Sequence, residues 1–546
     1  MTEPTTRPTT RTTAPPITEL ARRWMLGDRA DPLHQDCAAP LRWTTVNLAE
    51  AFPGVPTPLT WTVVGPAFEA MARGGWVSIG ALPRSAAGIP DQVEQRYITI
   101  FHGRPVFNLD GFRAIGDAMP GTSGDAVETQ IFGAKRSAAV ARPSWRRYPV
   151  VVAQMPVAAR RSRPEMVKLA ADTDSWWRTS IDRRTDPGEL VSLLFEAQRR
   201  ILAIGPHHTV LSMLAFAAYE QVRLLAAGAG LAGLETELLG ADGAAEAETV
   251  AELWALSRGL IGQPEFLRRH GFHGPAEGEL ATPSWRADPA PLHNLLASYR
   301  RRPDSATPEA ARSARLAARE AARLRLSARL GPLGRARASL LDRMAHRYMP
   351  LRELGRCTFL KAIDVARYAA NALGEQLAER GRLTRPDDVF YLCAHELERL
   401  PDDLADLVEA RRGRRAEYQK LELPDIFTGA PTPTQPAAVA AGTAVRGLGV
   451  SGGVARGRVR LVLEPGVDEL EPGEVLVCRT TDPGWASYFF LAAAVVIDVG
   501  GPISHGAIVA RELGIPCVIN TRTGTQQLRT GDLVQVDGAL GTVEPL

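Results

Sequence analysis

Cysteine, lysine and long apolar runs are all scarce in this chain. The five cysteines, Cys37, Cys357, Cys393, Cys478 and Cys517, lie far apart and form no CxxC pair. That excludes a zinc knuckle and a dense disulfide framework, and it reads as buried, reduced thiols in a cytoplasmic protein. The basic residues are nearly all arginine, with lysine only at such places as Lys135, Lys168, Lys361 and Lys420. A P-loop ending in Lys-Ser or Lys-Thr is missing, as is HExxH, so no intrinsic cofactor or metal is expected. The sequence lacks a run of about 18 apolar residues, which argues against a transmembrane helix. The opening MTEPTTRPTTRTTAPP lacks the apolar segment of a secretory signal. Charge of one sign is missing too. With 64 basic against 61 acidic residues the net charge is +3, which gives no reason to expect a nucleic-acid or membrane partner.

What is present is ordinary globular composition, 45% hydrophobic and 23% charged over 546 residues. At about 100–200 residues per domain, that length suggests two to four domains. Residues 1–40 read as a disordered lead. From 41 to 423 the pattern is mainly helical, with Leu, Ile, Phe and Met at three- and four-residue spacing over Pro187–Ala227 and similar runs over Glu309–Arg329 and Leu340–Glu379. Strand-like Tyr97–Phe101 and Val106–Leu109 add some β structure near the start. Residues 424–442, PDIFTGAPTPTQPAAVAAG, hold four prolines among small residues and read as a linker. Beyond it, residues 443–546 alternate. Short β-branched runs at Val459–Leu463, Val475–Cys478, Val495–Val499, Cys517–Asn520 and Leu533–Val536 are separated by helix-like Trp485–Ala493 and His505–Leu513. The fold class is therefore multidomain, a mostly α-helical domain with some β followed by a small α/β domain.

GLGVSG (Gly447–Gly452) matches GxGxxG, but a turn and strand follow it where a dinucleotide site needs a helix, so its glycines read as turns. The informative stretch is DVGGPISHGAIVARELGIPCV (Asp498–Val518). A strand runs into Gly500 and Gly501, a short loop follows, and His505 stands in the first turn of a helix that closes at Gly514. Unpaired N–H groups and the positive end of the helix dipole disfavour imidazolium there and favour an attached anion such as a phosphoryl group. The two glycines would let a bulky donor approach the backbone. Taken by itself, a histidine at a helix start fits a cap or an exposed first-turn side chain as well as a nucleophile.

The stretch resembles the phosphohistidine loop of the phosphoenolpyruvate-utilising enzymes, which include pyruvate phosphate dikinase, phosphoenolpyruvate synthase and rifampin phosphotransferase. The likeness rests on Gly500, Gly501, His505, Ala507–Glu512, Gly514, Ile515 and Pro516. The family places a hydroxyl or Asn residue two before the histidine, where Ile503 stands here, with Ser504 offering a hydroxyl next door. GLGVSGGVARGRVRLV and TTDPGWASYFFLAAAVVIDVGG are similar to the rest of the family's swivelling domain. Upstream, WTTVNLAEAFPGVPTPLTWT (Trp43–Thr62), RHGFHGPAEGELATPSWRADP (Arg269–Pro289), YMPLRELGR (Tyr348–Arg356) and LTRPDDVFYL (Leu383–Leu392) resemble the substrate-binding part of the rifampin phosphotransferase branch. Two departures stand out: Phe272-His273 replaces the family's His-Arg, and Ser284 replaces an Arg.

The resemblance implies that His505 carries a phosphoryl group, with Ser504, Gly500 and Gly501 around it. Arg352 and Arg356 share one helix face and are the implied phosphate-facing pair, the alternative being a solvated ion-pair face with Glu353. Arg511 could hold phosphate or pair with a nearby acid. His273 is the candidate in the substrate site, whereas Glu277 and Glu279 read as solvent-facing or bonded to the backbone. His207–His208 and Trp176–Trp177 read as structural. Too few residues precede Trp43 for the family's ATP-grasp domain, so a separate ATP-grasp protein bringing ATP and magnesium is the expected partner. The expected function is a phosphotransferase component passing phosphate through His505 to a small organic, natural-product-like acceptor. The alternatives are a tailoring enzyme that uses the histidine as acid or base for cyclisation or elimination, and a non-catalytic small-molecule binding protein.

Overall fold

A computed structural model describes residues 17–546, apart from 26, 47, 53, 136–137, 182–185, 232, 240–243, 435–443, 464–467, 482 and 503. The first and larger part is built on four long helices, α1 (Pro58–Ser78), α2 (Tyr148–Ser180), α3 (Pro187–Gly228) and α4 (Pro332–Glu379). All four have proline in the first turn, where a missing N–H costs nothing. Thr57 caps α1 and Asp186 caps α3, each accepting a backbone N–H from three residues on. Leu59, Val63, Leu194, Ile201, Ala362, Ala366 and Ala370 meet in the main core. The helices α3 and α4 approach closely enough that a Cβ on Gly355 would lie 2.5 Å from His208 Nδ1, so only glycine fits there.

Helix α3 is long and apolar enough to cross a membrane by length and composition, but half of its most apolar window is buried inside the fold. Polar residues such as Arg199, His207 and Ser212 interrupt it, so it holds no unbroken apolar run, and Leu194, Ile201, Ile204 and Leu211 enter the main core. The expectation of a disordered lead as far as residue 40 is corrected over the described residues 17–40. Ile17–Trp24 is a helix, and Ala21, Trp24 and Leu33 enter the main core. The expected linker is likewise shorter at its front. Ile426–Thr428 pairs with Arg42–Thr44 at one edge of a four-stranded antiparallel sheet completed by Arg104–Asn108 and Ile98–Phe101. Residues 435–443 of that segment lie outside the described residues.

The C-terminal part is an α/β domain on an eight-stranded mixed sheet. Val454–Leu461, Val475–Cys478, Ala494–Ile497 and Cys517–Ile519 run parallel in that order. Helix α5 (His505–Leu513) makes the crossover between the last two. Leu448–Ser451, inside the GxGxxG match, is an edge strand on Cys517–Ile519, as expected of turn and strand glycines. One face of the sheet does not stand alone. Phe489, Leu491, Val495 and Ala507 share a core with Leu253, Phe266, Leu292 and Tyr299 from the helices Ala244–Ser257, Gln263–His270 and Ala290–Arg300.

Candidate active site

His505 occupies the first position of α5, as its sequence predicts. Ser504 is the N-cap, its hydroxyl accepting the Ala507 N–H at 3.3 Å, and Gly514 ends the helix with φ of 66°. Unlike an exposed first-turn residue, His505 is buried, at 8% exposure. The burial comes from the helical part. Ile508, one turn on, packs with Ala215 of α3 and Met349 of α4. The His505 N–H donates to Glu50 Oε2 at 2.9 Å, placing a carboxylate on the positive end of α5. Gly501 is needed for this docking, because a Cβ there would lie 2.0 Å from the Ile131 carbonyl oxygen. A Cβ on Gly500 would meet Ser504 Oγ at 3.2 Å. These glycines accommodate the protein's own loop and helical part. Ile503 lies outside the described residues.

Arg352, Glu353 and Arg356 of α4 supply the charges that act on His505. Burial drives the imidazole's pKa well below its ordinary value; Arg356 and Arg352 push the same way, and Glu353 opposes them. The ring is thus neutral, the form whose unprotonated nitrogen can attack phosphorus. Glu353 is itself buried and bonded to both arginines, at 2.7 Å to Arg356 Nε. Burial alone would raise its pKa, but Arg356 and then Arg352 outweigh it and bring the value to about 2. The arginine pair therefore does flank a carboxylate, and it faces the inside of the protein. His208 of α3 stands against the same group. Burial, with help from Arg352, lowers its pKa to about 3, and its Nδ1 has no hydrogen-bond partner among the described residues.

A second cluster adjoins Arg356. His273 Nδ1 and Glu277 Oε1 are 2.5 Å apart, and both side chains are buried. The expectation that Glu277 faces solvent is corrected, while the other reading, a bond to backbone, holds at the Gly274 N–H: the turn through Ala276, at φ of 47°, brings the carboxyl back onto the imidazole without a helix. Glu279 is buried and does bond backbone, as one of its two readings had it: it accepts the Thr57 and Ala281 N–H groups, both at 3.0 Å, and its Oε1 takes the hydroxyls of Thr57 and Thr60 at 2.7 and 2.6 Å. Phe272, in place of the family histidine, packs edge-on to Trp177. Trp177 is core, donating its indole N–H to Asp364 at 2.8 Å. His207 lies 3.1 Å from Ser162 Oγ.

Arg511 is not turned toward the α4 arginines. Its guanidinium donates to the carbonyls of Val450 and Pro502 at 2.7 and 2.6 Å and lies over the Tyr219 ring, so it braces the histidine loop. The structure thus gathers His505, Ser504, Arg352 and Arg356, with His273 one guanidinium away, and gives Arg511 and the glycines supporting roles. Sequence reasoning missed Glu50, which is 455 positions from its partner and carries no local signal. It also undervalued Glu277, whose four-residue spacing from His273 is visible in the sequence.

Comparison with known proteins adds identity to this geometry. Residues 470–541 match the family model of the PEP-utilising enzyme mobile domain, and residues 260–353 that of the rifampicin phosphotransferase fourth domain. The chain is 38% identical over 275 residues to an uncharacterised protein of Mycobacterium tuberculosis, covering 50% of this chain and 30% of that one. It is 32% identical over 291 residues to the prodigiosin synthesizing transferase PigC of Serratia marcescens, covering 51% and 32%. It is 30% identical over 295 residues to the rifampicin phosphotransferase of Streptomyces sviceus, covering 52% and 34%. The matched part thus spans about a third of the length of these relatives. The chain thus carries a region similar to the mobile domain of the PEP-utilising enzymes, which holds His505, preceded by one similar to the rifampicin phosphotransferase fourth domain.

Proposed function

We propose that this protein is the carrier and acceptor portion of a phosphotransferase. His505 takes a phosphoryl group, charged from ATP and magnesium by an ATP-grasp protein, and delivers it at the Arg352–Glu353–Arg356 face of α4 to a hydroxyl of a small, natural-product-like molecule. No cofactor of its own is needed, and neither nucleic acid nor membrane takes part. The protein works in the cytoplasm. The reading is carried by one observation: a buried, neutral imidazole at a helix N-terminus lies under the influence of two arginines on a different domain. In the transfer, the acceptor oxygen bonds phosphorus, the bond from phosphorus to the His505 ring breaks, and the ring keeps the electron pair and takes up the proton that the hydroxyl loses, returning to neutral imidazole. Charge spreads over the equatorial oxygens as this happens, and paired guanidiniums hold such oxygens in bidentate fashion.

Chemical charging tests the reading without the natural donor. Phosphoramidate should place one acid-labile phosphoryl group on the wild-type chain, located to His505 by mass spectrometry. His505→Ala should lose the label, and Arg352→Ala should slow labelling by about a hundredfold, the usual scale for one lost charge-stabilising donor. Folded wild-type protein that takes no label, or takes it equally without His505, would sink the proposal.

A further inference from the structure

We propose that Glu277 is a positioning residue for this transfer, acting through Arg356: as a neutral acid bonded to His273 it leaves the guanidinium to Glu353 and His505, and as a carboxylate it competes for it. The inference rests on the function proposed above and adds its proton control.

The geometry begins with one guanidinium serving two clusters. Arg356 Nε holds Glu353 Oε2 at 2.7 Å. Arg356 is also the charged group acting most strongly on both His505 and Glu277. On the other side, Glu277 is 1% exposed and its Oε1 sits 2.5 Å from His273 Nδ1. Its Oε2 is buried with no hydrogen-bond partner among the described residues. A carboxylate there would have the Gly274 N–H beside it but its Oε2 out of water with no partner among the described residues, a costly arrangement, whereas a carboxylic acid bonded to the imidazole has no charge to bury. Burial accordingly raises the Glu277 pKa to about 8, against the opposing pull of Arg356 and Arg367. Burial and Arg356 lower that of His273 to about 3. The pair therefore holds one proton at neutral pH, on the carboxyl group.

The surroundings set what happens when that proton leaves. From α4, Glu277 faces Arg356, Cys357 and Arg367, and its own loop supplies His273. Arg367 donates from one terminal nitrogen to the carbonyls of Glu277 and Glu279 at 3.0 and 3.1 Å and has Asp364 3.5 Å from the other, while its Nε is buried with no hydrogen-bond partner among the described residues. Lys361 and Asp364 act on His273 with opposite signs. Among these neighbours Arg356 is the cation that also holds Glu353 and acts on His505, so ionised Glu277 draws the site's own guanidinium away from the phosphoryl position. The sign follows: charging of His505 is favoured below pH 8 and falls as pH rises through that value.

The test measures phosphoramidate labelling of His505 against pH. In this step the imidazole displaces ammonia from phosphorus, so the new bond replaces the old nitrogen–phosphorus bond. Dividing the wild-type rate by that of Glu277→Gln cancels the pH dependence of the reagent. The quotient should fall about tenfold between about pH 7 and pH 9.5, with its midpoint near 8, as expected for one ionisation. Glu277→Leu, which also lacks the ionisable group, should serve equally as divisor if Glu277→Gln does not fold. A quotient constant with pH, with His505 labelled, overturns the role of Glu277 alone and is what a merely structural residue would give. Loss of all labelling at His505 in folded wild-type protein instead overturns the function on which it rests.

Discussion

Arg356 is the residue on which the two buried clusters meet, so its replacement reads out both. Arg356→Met keeps most of the side-chain volume and removes the charge. Glu353 would then be held by Arg352 alone, in a place where its carboxylate is buried. Removing one partner of a buried ion pair costs about 3–5 kcal/mol, and the surviving arginine puts this case near the lower end. Thermal unfolding should show that loss, and Glu353→Gln in the same chain should recover a large part of it by removing the stranded charge. A single mutant within about 0.5 kcal/mol of wild type, the range of an ordinary surface change, would mean that the pair is solvated as an exposed face would be. The sequence showed the arginine spacing but not which way it faced. Arg-Glu-x-x-Arg fits an outer ion-pair face and an inner one equally well, and only packing against α3 and α5 decides between them.

At the scale of elements, α5 was the most legible part of the molecule. The strand before it, Ser504 as cap, His505 as first residue and Gly514 as stop are all local signals, and its bounds fall where they predict. The turn at 271–289 was legible as a turn, yet the contact it creates was not, because a non-helical loop can still close two side chains four residues apart. Least legible was the docking of α5. Glu50 reaches it from the short helix Leu48–Ala51, and nothing near either residue announces the other. Glu50 nonetheless has a definite effect. A carboxylate at a helix N-terminus is worth about 0.3–1 kcal/mol, and up to about 2 when partly buried. Glu50→Gln should therefore weaken the seating of α5 on the helical part, seen as faster amide exchange over 504–513 with the strands 475–478 and 494–497 unchanged. Phosphorylated His505 should shift exchange the same way, since the phosphoryl group and Glu50 would both claim the same positive terminus. Exchange in α5 indifferent to both changes would show that Ile508 packing alone holds it.

The largest difference between sequence and structure lies at the scale of the whole molecule. A Pro/Ala-rich segment between two textures reads as the joint of two independent bodies, and residues 443–546 have the topology of one domain. The apolar bookkeeping disagrees. Phe489, Phe490 and Leu491 pack with Trp254, Leu292 and Tyr299, the Tyr299 hydroxyl donates to the Ser487 carbonyl at 3.1 Å, and Arg301 pairs with Glu471 at 2.7 Å. An interface that shares a hydrophobic core behaves as a fixed one, whereas domains that swing freely meet through small polar contacts. Movement of the carrier domain must then either expose these aromatic side chains or take the helices at 244–300 along with it. Sequence could not reveal this, because each aromatic residue is equally at home in a core belonging to its own segment. Cutting the chain tests it directly. After cleavage within residues 430–445, the two pieces should still migrate together on size exclusion without denaturant, and should part only when moderate urea exposes the shared core. Fragments that separate at once in buffer would restore the C-terminal domain as a body free to move by itself, and would require that its contacts with 250–302 be short-lived.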